Sequence, residues 1–341
     1  MDVPTWVWIA TGVVTLAIFT FDLAIVGRRP HEPSMKECAT YLSIYVGLAI
    51  LFGLGVWYTW DGTHALEFYS GWLVEYSLSI DNLFIFIIIM AKFAVPRELQ
   101  QYALMIGIVM ALIMRAIFIG VGAAAINNFS WVFYLFGLFL IYTAVKLAKE
   151  GAEDEDDEFE ENKLVAFVER RFPATSEWHG RELFHKDAGK RMITPMFIVI
   201  ITLGTTDLLF ALDSIPAIFG ITKEPYLVLT ANIFALMGLR QLYFLIGGLL
   251  QRLIYLSYGL AFLLAFIGVK LILHAMHENE LPFINGGEHI TWAPDVPIWL
   301  SLVVIVATLA VTAVVSLWAS ARMDDKEQDA ATGPRRDWED G

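Results

Sequence analysis

Four acidic side chains lie inside long apolar runs, in two segments that share one pattern. The first segment, residues 75–86, reads EYSLSIDNLFIF, and the second, residues 206–219, reads TDLLFALDSIPAIF. In each, an acid is followed six positions later by Asp and then by a small polar residue, and the two sets stand 132 positions apart. The sets are Glu75, Asp81 and Asn82, and Asp207, Asp213 and Ser214. All are hard oxygen donors, so the pattern favours a site for Mg²⁺, Ca²⁺ or Mn²⁺.

Such acids need partners, because a carboxylate at the centre of a membrane helix costs about 2.5–3.5 kcal/mol on insertion scales. Arg115 and Arg240 also lie within apolar runs and could neutralise two of the acids in purely structural ion pairs. They could equally hold the site together while no cation is bound. Asp22 adds a fifth acid within an apolar run. Both interpretations, a cation site and structural ion pairs, remain open at this stage.

Helix geometry limits which of these side chains can converge. A seven-residue step returns to within about 20° of its start, so Glu75 shares a face with Asn82, and Asp207 with Ser214. A six-residue step turns the side chain by about 120°, so the second Asp of each set needs another face or a distorted helix. Pro216 favours such a distortion in the second segment, because proline removes a backbone donor and crowds the preceding turn.

The elements that must position these residues are membrane helices. The chain has 341 residues, of which 57% are hydrophobic and 17% charged, with a mean hydropathy of +0.60. Ordinary soluble domains are about 25% charged, so a soluble or disordered protein is excluded. The net charge of −13 also excludes a nucleic-acid binder, since phosphate backbones would be repelled. Nine runs are long enough to span a bilayer: about 5–27, 41–60, 66–91, 99–122, 129–149, 193–219, 227–249, 253–275 and 297–320.

The distribution of basic residues predicts the orientation of these spans. With the N-terminus outside, the inner segments hold nineteen Lys and Arg residues, and the outer loops hold only Lys223. This split follows the positive-inside rule and leaves the C-terminus in the cytoplasm. Residues 150–161 carry nine acids and no base, which predicts a solvated start to the inner loop 150–192. Residues 163–171 could form a short amphipathic helix at the membrane surface.

The two acidic segments belong to a longer internal repeat. Arg115 and Arg240 fall in similar stretches of spans four and seven, and Lys146 and Lys270 in similar stretches of spans five and eight. Spans 3–5 and 6–8 therefore look like two copies of a three-helix unit in opposite orientation, as in many secondary transporters. The predicted fold is an all-α polytopic membrane protein of about nine helices. Its divisions are 1–65, 66–149, 150–192, 193–275, 276–322 and 323–341.

The stretches EYSLSIDNLF and TDLLFALDSIPAIFG resemble the paired signatures of the TerC family. The likeness extends over most of the chain. It implies a multi-helix protein of the bacterial inner membrane that exports manganese and is linked by name to tellurium resistance. It further implies that the metal ligands are Glu75, Asp81, Asn82, Asp207, Asp213 and Ser214.

These observations together predict a transporter that exports Mn²⁺, or a similar hard divalent cation, by alternating access, in exchange for protons or sodium. The cation is the substrate, and no cofactor, nucleic-acid partner or enzymatic activity is expected; the other predicted partner is membrane lipid. An alternative is a membrane assembly or stress-response scaffold that works through the inner loop. A third, an intramembrane enzyme, would need two acids about 3–5 Å apart around a substrate-sized cavity. The sequence leaves the oligomeric state and the coupling ion open.

Overall fold

The computed structural model confirms a helical membrane protein. It describes residues 1–28, 33–129, 131–150, 175, 177–187, 190–246, 255–279, 281, 284–285, 288–290, 292–294 and 296–332. Ten helices and two short strands are assigned within these residues. They are α1 (Thr5–Arg28), α2 (Met35–Thr59), α3 (Gly62–Lys92), α4 (Arg97–Asn128), α5 (Val132–Glu150), β1 (Phe184–Asp187), β2 (Lys190–Ile193), α6 (Pro195–Phe219), α7 (Pro225–Met237), α8 (Leu239–Ile246), α9 (Leu256–His277) and α10 (Ile298–Thr332).

Nine stretches of the described chain are long and apolar enough to cross a membrane, which agrees with the number of spans predicted. Helices α7 and α8 together make up one of them. Local signals set several helix starts. Asp61 caps α3 by accepting a hydrogen bond from the His64 amide at 2.9 Å, and Thr194 caps α6. Proline at the first turn of α6 and α7 suits the positions where no amide partner exists.

Two local features differ from the sequence-based expectation. The helix α6 is assigned without interruption through Pro216, so this proline does not end the helix. The break falls in the next span instead, at Gly238 between α7 and α8. A Cβ atom at Gly238 would lie only 3.1 Å from Leu42 Cδ1, so glycine allows α2 to approach closely there.

The loop 150–192 is only partly described. Its acidic run and the predicted helix 163–171 lie outside the described residues. The described part contains an antiparallel hairpin of β1 and β2, with Phe184 paired to Ile193, which the sequence reading did not predict. Leu183 and Trp178, next to this hairpin, pack against the buried cluster around α3 and α6. The segment that leads into the hairpin therefore packs against the helix bundle.

The helices of the two predicted three-helix units pack in reciprocal pairs. Helix α3 packs on α7, α4 packs on α6, and α5 packs on α9. Contacts also show that matching helices run antiparallel. Thr222, just after α6, bonds to Glu67 near the start of α3, and Tyr134 near the start of α5 bonds to Asn279 just after α9. These two contacts agree with the predicted opposite orientation of the two units, while the inverted repeat itself stays a prediction.

The connections alternate between two faces of the bundle. On one face, the Met1 amine contacts Glu224 at 2.6 Å, and Trp60 donates to the Asp2 carbonyl, so the α2–α3 and α6–α7 turns lie together. On the other, the Arg181 guanidinium lies over the Tyr102 ring near the hairpin. This arrangement agrees with the predicted alternation of spans.

Candidate cation site

Arg115 on α4 is the centre of a buried polar cluster. Its Nε and Nη2 atoms donate to the two carboxylate oxygens of Asp207 on α6, both at 3.0 Å. Its Nη1 atom contacts the carboxylate of Glu75 on α3 and donates to the Asn232 amide oxygen on α7 at 3.0 Å. We call these four residues the Arg115 cluster. The first acid of each repeated segment therefore converges on one guanidinium.

The Arg115 cluster is buried, so water screens the interactions between its charges only weakly. Arg115 and Asp207 are each 1% exposed, and Glu75 is 0% exposed. Ionised, two carboxylates and one guanidinium leave one net negative charge, in surroundings where charges are poorly screened. A buried excess of negative charge favours the binding of a further cation. The cluster therefore combines one guanidinium in contact with two carboxylates and one negative charge that the guanidinium does not balance.

The antiparallel register of α3 and α6 places further donors beside this cluster. Glu67 bonds to Thr222, and one turn further along, Gly71 lies against Ile218. If the same register continues along both helices, Glu75 stands level with Ser214, and Asn82 stands level with Asp207. Both Asn82 and Ser214 are buried. The Ser214 hydroxyl has no hydrogen-bond partner among the atoms that the structure describes, so it is available to a ligand.

Asp213 lies on a different side of α6. Its Oδ1 atom accepts a hydrogen bond from Thr143 on α5 at 3.0 Å, and its side chain is only partly buried. This is the separation expected from a six-residue step in a regular helix. The structure thus brings together the first acids of the two segments and directs Asp213 toward α5. Its role as a metal ligand stays a prediction, as does that of Asp81, whose side chain lies outside the described part of the chain.

Arg240 forms a separate buried cluster. Its Nη2 atom contacts Asp22 Oδ2 on α1 at 3.4 Å, and the same oxygen accepts a hydrogen bond from the Tyr45 hydroxyl on α2 at 2.8 Å. Arg115 thus contacts one acid of each repeated segment, and Arg240 contacts the fifth acid, Asp22. The part these pairs play in a cation site stays a prediction.

Three side chains that bond to these charged residues were not predicted from the sequence. Asn232 was a lone amide in an apolar run, a signal that could have been weighed. Tyr45 and Thr143 carried no signal, because single hydroxyls are common in membrane helices. Only packing shows that their hydroxyls reach Asp22 and Asp213.

A third set of polar side chains lies near the end of α9. Lys223 Nζ donates to both oxygens of Glu278, at 2.8 and 2.9 Å, and His274 Nε2 lies 3.4 Å from one of them. Partial burial acts to raise the pKa of Glu278, but the Lys223 hydrogen bond and the charges of His274 and Lys223 outweigh it, so the pKa lies below its ordinary value. Glu278 is thus held as the anion of an ion pair.

No group of three or more His, Cys, Asp or Glu side chains close enough to hold a metal ion occurs within the described residues. The Arg115 cluster contributes two acids, so a bound divalent ion there would also need neutral oxygens. Asn232 within the cluster, and Asn82 and Ser214 level with it, supply oxygens of the required kind.

The matching family model is described as the Integral membrane protein TerC family and covers residues 60–324. This chain belongs to the TerC family. The matched range contains the whole Arg115 cluster, and it confirms the resemblance seen in the two acidic segments.

Relatives in the family cover almost the whole chain. An uncharacterized membrane protein of Mycobacterium tuberculosis is 45% identical over 97% of this chain and 83% of its own length. An uncharacterized membrane protein of Myxococcus xanthus is 35% identical over 95% of both chains. The putative membrane-bound redox modulator Alx of Escherichia coli K12 is 33% identical over 93% of this chain and 96% of its own. No solved structure matches the chain.

Proposed function

We propose that this TerC protein exports Mn²⁺, or a similar hard divalent cation, by alternating access around the Arg115 cluster. The observation that carries the proposal is the convergence of Glu75 and Asp207, one from each oppositely oriented unit, on a single buried guanidinium. If one unit moved against the other, the distances from such an ion to its two carboxylate ligands would change. That is the arrangement in which binding and conformational change are coupled.

Arg115 would act as the internal substitute for the substrate. Its guanidinium and an incoming cation compete for the same carboxylate oxygens, so both cannot be bound fully at once. In the absence of a cation, Arg115 balances one of the two negative charges of Glu75 and Asp207 and holds α3, α4 and α6 together. Cation binding would displace the guanidinium and loosen this contact. Release of the cation would let Arg115, or protons from the opposite side, restore the balance of charge.

The reciprocal packing of the two units supports alternating access. The α3–α7 and α4–α6 contacts would exchange roles if a two-fold axis in the membrane plane related the units. The direction, outward from a bacterial cytoplasm across the inner membrane, rests on the family resemblance and on the basic inner segments. We assign the N-terminus to the outside and the C-terminus to the cytoplasm on the same ground.

The Alx relatives are named putative membrane-bound redox modulators, which suggests a different activity. The chain has one cysteine, Cys38, and it is buried. An exchange between a dithiol and a disulfide within one chain needs two cysteines, so this chemistry is unavailable to a single copy. The scaffold alternative depends on the inner loop, whose acidic run lies outside the described residues. The Arg115 cluster therefore favours transport.

Mn²⁺ flux into vesicles that contain the purified protein tests this proposal. Glu75→Gln should lower the flux at least about tenfold, the effect of losing about 1.4 kcal/mol of cation binding. The variant should still fold, because Arg115 and Asp207 remain as a neutral pair. Glu182→Gln, the same chemical change on an exposed side chain near the hairpin, is the matched control and should leave the flux unchanged. Equal flux in wild type and Glu75→Gln would refute the site.

A further inference from the structure

Glu67 lies on α3 between the Arg115 cluster and the face that holds the α6–α7 turn. Its Oε2 atom accepts a hydrogen bond of 2.6 Å from the hydroxyl of Thr222, which is itself 3% exposed. Glu67 is eight residues before Glu75, a distance of about 12 Å along a helix, and lies within about 80° of it around the helix axis. The acid is therefore two turns from the cluster on the same broad side of α3.

Polar groups recur along this half of the α3–α6 interface at an even spacing. Glu67 meets Thr222, the continued register brings Glu75 level with Ser214, and then Asn82 level with Asp207. Between the first two levels stands Gly71, where a Cβ atom would lie 3.4 Å from Ile218 Cγ2 and 3.7 Å from Ala231 Cβ, so the helices pack closely there. The buried Ser214 hydroxyl, without a hydrogen-bond partner in the described part of the molecule, adds an available oxygen along this line.

The other half of the interface has a different character. Beyond Asn82 and Asp207, the facing side chains belong to one hydrophobic cluster. It contains Phe86, Ile89 and Met90 of α3, and Val199, Ile200 and Leu203 of α6. The polar groups named above, Glu67 with Thr222 and Ser214, therefore lie between the Arg115 cluster and the face of the α6–α7 turn.

The groups in contact with Glu67 differ from those in contact with Glu75 and Asp207. Its hydrogen bond comes from a neutral hydroxyl, whereas Glu75 and Asp207 both contact a guanidinium. The charges that act on Glu67 are His64 on α3, Glu224 in the α6–α7 turn and Lys270 on α9. Glu224 contacts the Met1 amine at 2.6 Å, so its own charge is largely balanced. A carboxylate placed at a helix interface in this way favours a mobile cation.

We propose that Glu67 is a second, shallower station for the divalent cation, on the path between the Arg115 cluster and the face of the α6–α7 turn. The proposal rests on the proposed transport function. Thr222 positions the carboxylate, and the ion, still partly hydrated, passes from Glu67 to the donors two turns deeper.

The test uses three substitutions in the full chain, with Mn²⁺ flux into vesicles as one readout. Glu67→Gln removes the charge but keeps an oxygen that can accept the Thr222 hydrogen bond. Glu67→Asp keeps the charge on a shorter side chain that reaches Thr222 poorly. The matched control is Glu182→Gln, the same chemical change on an exposed side chain near the hairpin. We expect the Mn²⁺ concentration for half-maximal flux to rise at least about fivefold in E67Q, to recover at least half-way in E67D, and to stay unchanged in E182Q.

The opposite order, with E67Q like wild type and E67D impaired, would show that only the hydrogen bond matters and would overturn the station. A second readout is the number of Mn²⁺ ions bound by the purified protein, measured by electron paramagnetic resonance. E67Q should bind fewer ions than wild type, and equal numbers would overturn the proposal. If wild type binds Mn²⁺ but carries none across the vesicle membrane, the transport function fails, and this binding difference still decides whether Glu67 is a cation site.

Discussion

At the scale of single residues, Arg115 decides how the buried acids are accommodated. One guanidinium satisfies Asp207 with two parallel hydrogen bonds and contacts Glu75 and Asn232 with its remaining nitrogen. Arginine suits this position because its planar fork matches a carboxylate and does not lose its proton. A lysine ammonium would be a single point charge and could not bridge three helices in this way.

Replacement of Arg115 provides a direct test of that role. Arg115→Gln leaves Glu75 and Asp207 buried without their cation, so the metal-free protein should lose about 3–5 kcal/mol of stability. Mn²⁺ should restore part of this loss, because an ion that binds only the folded state stabilises it. Thermal unfolding in detergent, with and without Mn²⁺, measures both effects.

Arg181→Gln is the matched control, since Arg181 is exposed near the hairpin and should tolerate the change. A metal-free R115Q protein as stable as wild type would contradict the importance of the Arg115 cluster. A large loss of stability that Mn²⁺ does not reduce would instead contradict the competition between guanidinium and cation.

At the scale of elements, close helix contacts fix where the polar residues meet. Helices α5 and α9 approach so closely that a Cβ atom on Gly137 would lie 2.8 Å from the Gly268 carbonyl oxygen, and one on Gly268 would lie 2.9 Å from that of Gly137. Small residues commonly permit such contacts between membrane helices. This contact joins the last long helix of each unit and so helps to hold the two units in register.

Gly268→Val should therefore destabilise the protein by about 1–3 kcal/mol, the usual cost of forcing extra atoms into a packed interface. Gly120→Val on α4 is the control, because a Cβ atom there meets nothing within 4 Å. Thermal unfolding of the two variants side by side measures the difference. Equal stability would mean that α5 and α9 can separate without cost.

At the scale of the whole molecule, the alternation of connections between two faces predicts the sidedness of the protein in the membrane. In a Cys38→Ser background, Thr63→Cys and Glu182→Cys place single thiols at exposed positions on opposite faces. Added to intact cells, a membrane-impermeant maleimide should label T63C, whereas E182C should react only after permeabilisation. The reverse pattern would invert the predicted orientation and the direction of transport with it.

The sequence by itself determined much of this molecule. Long apolar runs require helices in a bilayer, because the backbone must satisfy its own hydrogen bonds there, and this determined the nine spans. The repeated spacing identified four candidate acids, and Glu75 and Asp207 are two of them. The six-residue step to Asp213 already indicated that this acid would need another face.

Only the tertiary structure decided which charges pair. Periodicity places a side chain on a helix face but does not say which helix lies opposite, so it could not show that Arg115 bridges Glu75 and Asp207 while Arg240 binds Asp22. The close approach of Leu42 on α2 to Gly238, where one helix ends and the next begins, is likewise visible only in the tertiary structure. Ion pairs and close helix contacts form between residues that are far apart in the sequence, so local sequence patterns do not predict them.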